Sequence, residues 1–282
     1  MKKVKHPLAG TARLIVAAIL IPVIASFFYS YNRNKNFIKK TALEDLSILA
    51  EAYGVRTRLF VEMLKTRAHD FAAGPVLRTL AKDALAGKKG SAERLESLLS
   101  TNKFPLDKNI KAIHIISLSG KTLASTDKSM AKKDLSKEGF LLKATEEVWV
   151  TEGFSGPEHE SVLFVSAHVT DLRTGKPIAV LVNVAGLSGL GEVLAGRVSG
   201  QTPASGQTAV RRTTHIHLIN QERFIIADSS RHTGMLGLKA DMPIVEPCLK
   251  GSKGEALFYK DEIGLEVAGA SACINELKWV VA

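Results

Sequence analysis

The first 40 residues hold no Asp or Glu, although the chain of 282 residues carries 28 of them. Eight Lys or Arg fall in that stretch: Lys2, Lys3, Lys5, Arg13, Arg33, Lys35, Lys39 and Lys40. Of 38 basic residues in all, 30 remain for the other 242 positions, against the 28 acids. The formal charge of +10 is therefore concentrated around one N-terminal segment. A nucleic-acid-binding body needs a basic face of its own, and this one is nearly balanced, so nucleic acid is excluded as the expected partner. Catalytic signatures are also missing: there is no GxxxxGK[ST], HExxH, GxSxG or CxxC. Gly186, Gly189 and Gly191 do not make a GxGxxG and read as a tight strand-to-helix turn. No catalytic residue, cofactor or metal ion is expected, and the chain is not read as an enzyme. Cysteine occurs only twice, at Cys248 and Cys273. In an oxidising compartment these two are candidates for a disulfide, and in a reducing one they would be buried thiols.

What is present begins with an uncharged run, residues 14–31, LIVAAILIPVIASFFYSY. As a helix it would span about 27 Å, close to the hydrocarbon thickness of a bilayer. Pro22 is tolerated inside membrane helices, and Phe27, Phe28, Tyr29 and Tyr31 place aromatics toward one interface. A cleaved signal peptide is the competing reading, but the run is long and no A-x-A site follows it. Basic residues flank both ends, so charge alone leaves the orientation open; a short Lys-rich cytoplasmic stub with the body outside is the expected arrangement.

From residue 36 to about 86 the apolar positions recur at three- and four-residue steps: Phe37, Leu43, Leu46, Leu49, Ala50, Tyr53, Leu59, Phe60, Met63, Leu64, Ala68 and Phe71. This predicts a long amphipathic helix, kinked or ended at Gly74-Pro75, with further helix over 76–86 and 92–99. The texture then becomes β-branched. A hairpin is expected over 110–118 and 121–125, with strands at 148–151, 162–170 and 177–184 in one antiparallel sheet and a turn over 171–175. A helix is expected over 188–195. The Gly-, Ser- and Gln-rich stretch 196–207 reads as a linker. The order of elements then repeats in smaller form: strands at 213–219 and 223–227, a short helix near 244–249, and strands near 256–259, 265–274 and 277–282.

Residues 115–125 (IISLSGKTLAS), Asp134-Leu135-Ser136 with Phe140 and Ala144, and 171–175 (DLRTG) followed by 178–182 (IAVLV) form an ordered set. The set continues with Gly254, Tyr259, Val267-Ala-Gly-Ala270 and Leu277-Lys-Trp279-Val-Val. Together they resemble the double Cache sensor domains of bacterial chemoreceptors, sensor histidine kinases and diguanylate cyclases. The resemblance implies an α+β fold: a transmembrane helix, a long stalk helix and two tandem PAS-like antiparallel-sheet modules. The expected division is a cytoplasmic stub at 1–13, a transmembrane helix at 14–33, a stalk at 34–86, a membrane-distal ligand-binding module at 87–196, a linker at 197–211 and a membrane-proximal module at 212–282. It implies a periplasmic or extracellular sensor on the bacterial inner membrane. The chain would be a homodimer through the 36–71 stripe, feeding a histidine kinase or similar output domain absent from this chain. A membrane-tethered protein-binding scaffold or adhesion protein is the alternative, and a hydrolase with unrecognised residues a third.

In amino-acid-binding members of that family an Arg after the "DLS" segment reads the ligand carboxylate, aromatics close over it, and an Asp at the end of the "GVL" strand holds the amine. Here Glu138 stands at the Arg position, Phe140 and Leu141 at the aromatic positions, and Asn183 at the Asp position. A carboxylate in place of a guanidinium reverses the charge facing the ligand. The expected ligand is therefore a neutral or cationic small molecule, or none. Phe164, Ser166 and His168 share one strand face at period two, and with Asp171 they either line that pocket or form a solvated sheet face. Trp149 is a pocket wall or a core residue. His215 and His217 project from one strand face as well, but two imidazoles without a third ligand do not make a metal site.

Overall fold

The computed structural model describes residues 8–130, 134–138, 141, 148–155, 160–194, 214–229, 236–261 and 263–282. Residues 1–7 of the stub, Phe140, Ala144 and the linker 197–211 lie outside the described residues.

One uninterrupted helix, α1 (Leu8–Ala73), runs through both the expected membrane segment and the expected stalk. Its 66 residues correspond to a length of about 100 Å. Pro22 does not end it. The described side chains of α1 begin at Leu20, so residues 14–19 of the apolar run fall outside them. Among the described residues no helix is long and apolar enough to cross a membrane. The helix stops at Gly74, where Pro75 opens α2 (Pro75–Leu85): proline cannot supply an amide to the preceding turn but suits the first position of the next helix. After α3 (Ser91–Leu98) and a π turn at Leu99–Lys103 the chain enters its first sheet.

That sheet has five antiparallel strands in the order β2-β1-β5-β4-β3: β1 (Ile110–Ser117), β2 (Thr122–Ser125), β3 (Trp149–Ser155), β4 (Glu160–Thr170) and β5 (Pro177–Gly186). A helix, α4 (Ser188–Leu194), follows. The second sheet has the order β10-β11-β6-β7, built from β6 (His217–Ile219), β7 (Ile225–Asp228), β10 (Ala272–Ile274) and β11 (Trp279–Val281). Between β7 and β10 lie α5 (Glu246–Leu249) and a separate hairpin, β8 (Ala256–Lys260) with β9 (Glu266–Ala270). The single strand expected at 265–274 is thus two. Ser271 interrupts it, its amide donating to Glu255 O at 2.9 Å and its hydroxyl accepting from Glu255 N at 3.0 Å, so the chain passes from the hairpin to the sheet there.

Strand alternation gives the first sheet two buried faces. Ile113, Ile115, Leu163, Val165 and Leu181 point at α1, where Tyr53, Phe60, Val61, Leu64, Ala68 and Phe71 meet them. Ile216, Leu218, Ile226, Trp279 and Val281 of the second sheet belong to the same cluster, so one apolar core runs along α1 beneath both sheets. Truncating a fully buried member such as Leu64 or Leu181 to Ala costs about 2–5 kcal/mol on general grounds.

This arrangement corrects the expectation that the whole 36–71 stripe faces a second copy. Tyr53, Phe60, Leu64, Ala68 and Phe71 are consumed by the chain's own core, with Leu49 packed against it, and Ala50 packs with Leu46 on Ala270 and Ala272. Leu59 and Met63 of that stripe stay exposed, and with Ile48, Ala52 and Val55 they form a second face that the core does not use. The reason is geometric: a helix has room for two apolar faces, and the sheets take the one nearer to them.

Cys248, in α5, and Cys273, in β10, are joined by a disulfide, their Cα atoms 5.2 Å apart.

Candidate ligand-binding site

The face of the first sheet turned away from α1 carries the candidate site. Strand pairing sets His114 opposite Ser125 and Val182, Val182 opposite Ser166, and Ser166 opposite Trp149. Directly paired residues of antiparallel strands share a face. Five strands therefore present one cross-sheet row, Ser125, His114, Val182, Ser166 and Trp149. Ile116, Val180 and His168 make the next row on one side, and Val184, Phe164 and Thr151 the next on the other.

The segment after β2 lies over this face. Leu135 and Leu141 pack on Ile116, Val180 and Val182, with Phe164 and Met130 at the margin. Gly120, at φ +90°, lets the β1–β2 turn touch the backbone of Ser136, where a side chain would collide, and Leu135 N donates to Gly120 O at 3.1 Å. The turn thus holds the covering segment down.

His114 is buried, and its Nδ1 lies 2.8 Å from Ser125 Oγ, which in turn donates to Asp127 O at 2.6 Å. Burial pushes the imidazole pKa down to about 4, against a smaller upward pull from the Asp127 charge. Burial also lowers the pKa of half-buried His168. Ser166 is fully buried, its hydroxyl donating to Trp149 O at 3.4 Å. Near neutral pH the row offers uncharged hydrogen-bonding groups set among apolar ones. Such a surface suits an uncharged or weakly polar molecule, or the aliphatic part of an amphipathic one.

The expected site residues are not all on this face. Trp149, Ser166 and His168 share it; Trp149 is partly exposed. His168 lies where β4 runs past the start of β3, and it also lines a cleft of about 700 Å³ on the α1 flank with Lys65, His69 and Arg78. Glu138 is in the covering segment with an exposed side chain, its amide bonded to Leu135 O and its carbonyl to Leu141 N. Phe140 lies outside the described residues.

Strand register corrects the expectation for Asn183, and turn hydrogen bonding that for Asp171. Asn183 is paired with Ile113 and Val165, both in the α1-facing core, so its amide points to α1 and away from the ligand face. It is buried there, and among the described residues neither its amide atoms nor the hydroxyl of Thr57 on α1 has a hydrogen-bond partner. Position along the "GVL" strand suggested a ligand contact, but one residue of parity sends the side chain to the other side. Asp171 is a turn and clamp residue. Its Oδ1 accepts from the amides of Arg173 and Thr174 at 2.8 and 2.9 Å, and Lys82 of α2 reaches its other oxygen at 2.5 Å. The Lys82 ammonium and those amides hold its carboxyl below the ordinary carboxylate range. Arg78 of α2 donates to Thr170 O at 2.6 Å beside it. Its described partners either shape the β4–β5 turn, as the Arg173 and Thr174 amides do, or tie that turn to α2, as Lys82 and Arg78 do.

His114 was missed by the sequence reading. The signal was available, because a lone histidine between Ile113 and Ile115 on a strand must take the face opposite to them.

In the second sheet His217 Nδ1 lies 2.7 Å from Asp228 Oδ2, and the His215 and His217 rings stack with centroids 6.4 Å apart. Burial lowers the His217 pKa, and the Asp228 carboxylate works in the opposite direction. Among the described residues no group of three His, Cys, Asp or Glu could hold a metal ion.

No family model matches the sequence, and no curated protein does. Solved structures do match. The sensory domain of the Campylobacter jejuni chemoreceptor Tlp3 with isoleucine bound aligns at 17% identity over 88% of this chain and 93% of that one, with a TM-score of 0.61. The sensor domain of the V. cholerae histidine kinase DctB aligns at 10% identity over 86% of this chain and 96% of that one, with a TM-score of 0.63. The sensory domain of Tlp3 is also known in complex with L-valine, at the same 17% identity and a TM-score of 0.61. A long helix carrying two antiparallel sheets in succession, the arrangement in which the sequence resembles double Cache domains, is accordingly the fold of bacterial receptor sensory domains, and this chain has that fold.

Proposed function

We propose that the chain is the extracytoplasmic, small-molecule-sensing input module of a transmembrane signalling receptor, without a reaction of its own. The observation that supports this best is the polar row on the first sheet, with Ser125, His114 and Ser166 buried around Val182, partly exposed Trp149 at its end, and Leu135 and Leu141 packed on Val182. Tlp3, of like fold, carries isoleucine and L-valine. In this chain the ligand is a neutral or cationic small molecule, because Glu138 stands in the covering segment where an Arg would read a carboxylate.

The anchor is the run 14–33. Leu20, Ile21, Val23, Ile24, Phe27 and Phe28 are all at least half as exposed as in an open chain, which a water-facing helix does not sustain and a lipid-facing one requires. The output domain is a histidine kinase or a similar cytoplasmic module. Two copies associate through Ile48, Ala52, Val55 and Leu59, which recur at steps of four, three and four, the spacing of a coiled-coil seam.

The test is a thermal-shift screen of the chain against amino acids, polyamines, organic acids, purines and sugars, since a ligand selective for the folded state raises its melting temperature. A hit that Ser166→Ala or Trp149→Ala abolishes supports the sensor. Stable folding with no hit in a broad library favours a membrane-tethered protein-binding scaffold instead.

A further inference from the structure

The β8–β9 hairpin lies along α1 with its turn toward the N-terminal end of that helix. Three contacts in order fix this direction. Glu266, which opens β9, accepts from Lys39 Nζ at 2.7 Å; Ala270, which closes it, packs with Leu46 and Ala50; and Ala272, at the start of β10, comes against Gly54. Lys39 also stands 4.5 Å from the ring centroid of Phe258 on β8. The Lys39 ammonium, with the Lys35 and Lys260 charges behind it, holds the Glu266 carboxyl below its ordinary range.

Beyond Glu266 the chain therefore continues toward the apolar run at 14–31. The polar groups of the turn serve the turn itself: Asp261 N donates to Leu265 O at 3.0 Å, and Asp261 Oδ1 accepts from the amides of Ile263 and Leu265 at 3.1 and 2.8 Å. Glu262 lies outside the described residues. The apolar side chains have no such use. Ile263 is 79% and Leu265 59% exposed, and no large apolar side chain among the described residues is more exposed than Ile263. Phe37, two residues before Lys39 on α1, is exposed as well.

From Lys39 back to Tyr31, the last aromatic of the run, α1 covers about 12 Å. From Glu266 out to Ile263 an extended chain covers up to about 10 Å. The tip thus ends near the level of Arg33, and a headgroup layer of roughly 5–8 Å outside the hydrocarbon reaches that level. There the two side chains leave water while the turn gives up no unpaired amide of its described residues, and exposed Arg33, Lys35 and Lys260 stand where lipid phosphates would be.

We infer that the β8–β9 turn is a second membrane contact, with Ile263 and Leu265 dipping into the headgroup layer of the bilayer that holds α1. The inference rests on the reading of residues 14–33 as the anchor. The second module is then fixed to the bilayer at two points, the helix and the turn, with Lys39 and Glu266 as the brace between them.

Nitroxide labels at single introduced cysteines test this in the full chain, in nanodiscs of phosphatidylcholine and phosphatidylglycerol, through collision with a water-soluble nickel chelate and with oxygen, which concentrates in lipid. Ile263→Cys reports the tip, Phe28→Cys the run, and Leu172→Cys an exposed apolar residue of the β4–β5 turn in the distal module. The label at 28 should be shielded from nickel and open to oxygen. The label at 263 should collide with nickel at least threefold less than that at 172, and with oxygen more. Adding Leu265→Glu should raise nickel collision at 263 at least twofold and leave 28 unchanged. Nickel collision at 263 equal to that at 172, or unmoved by Leu265→Glu, with 28 in lipid, would overturn the inference and leave the anchor standing. A label at 28 open to nickel would overturn both. Shielding of 263 from nickel and oxygen alike would mean that protein covers the turn, and would overturn the inference as well.

Discussion

Glu152 of the first sheet and Trp279 of the second share a hydrogen bond, the indole Nε1–H donating to Oε1, while Asn220 Nδ2 donates to Oε2 at 2.8 Å. One half-buried carboxylate thus ties β3 to β11 and to the β6–β7 turn. Burial raises its pKa, and the two donors work against that rise. Glu152→Ala leaves the indole and the amide without their acceptor, at a cost of about 1–3 kcal/mol in denaturant unfolding. Hydrogen exchange should quicken in β11 more than in β5. An unchanged midpoint would mean that the two modules do not rely on this contact.

Acid should weaken the fold through His114. Its folded pKa, about 4, lies below the ordinary 6.5, so between those values the unfolded chain takes up a proton that the native state refuses. Stability is full above pH 6.5 and falls as the pH drops toward 4, by up to about 3 kcal/mol. His114→Gln should flatten this part of the stability–pH curve. If the variant keeps the wild-type slope, another group is responsible.

Asn183→Leu should raise the melting temperature, because it removes an amide that is buried without a partner among the described residues and faces an apolar helix. A gain of about 1 kcal/mol is reasonable for relieving such a group. Destabilisation, or loss of ligand binding with the fold intact, would show that the amide has work that its position does not reveal.

The exposed stripe on α1 gives a separate test. Leu59→Lys changes a residue that the chain's own core does not use, since 65% of its surface is exposed. Sedimentation velocity should show a shift from dimer to monomer with the melting curve of the body little altered. A monomeric wild-type chain would remove the stripe from consideration.

The disulfide closes a loop between α5 and β10, 25 residues apart in sequence. On a chain-entropy basis Cys273→Ser should lower stability by about 2–4 kcal/mol. Denaturation with and without reductant measures this directly, and equal midpoints would show that the second module is held by its core alone.

Much of this protein follows from local pattern. The three-to-four spacing along α1, the Gly74-Pro75 stop, the β-branched runs between turn residues that make β1, β4 and β5, and the ordered set of turn and strand motifs that resembles double Cache domains are all short-range, because local pattern depends on neighbours a few residues away. The distribution of charge alone also separated a basic N-terminal run from a charge-balanced body. The tertiary structure decided the rest. Whether a stripe on α1 meets the sheets or is left exposed depends on which face the sheets reach, and Leu64 and Leu59 took opposite fates although both are leucines of one amphipathic helix. Whether Asn183 or His114 looks at the ligand face depends on one residue of register across strands distant in sequence. A cavity of about 720 Å³ beside Tyr53 exists only because α1, the β8–β9 hairpin and β7 converge from positions some two hundred residues apart, and sequence periodicity cannot show a void between elements.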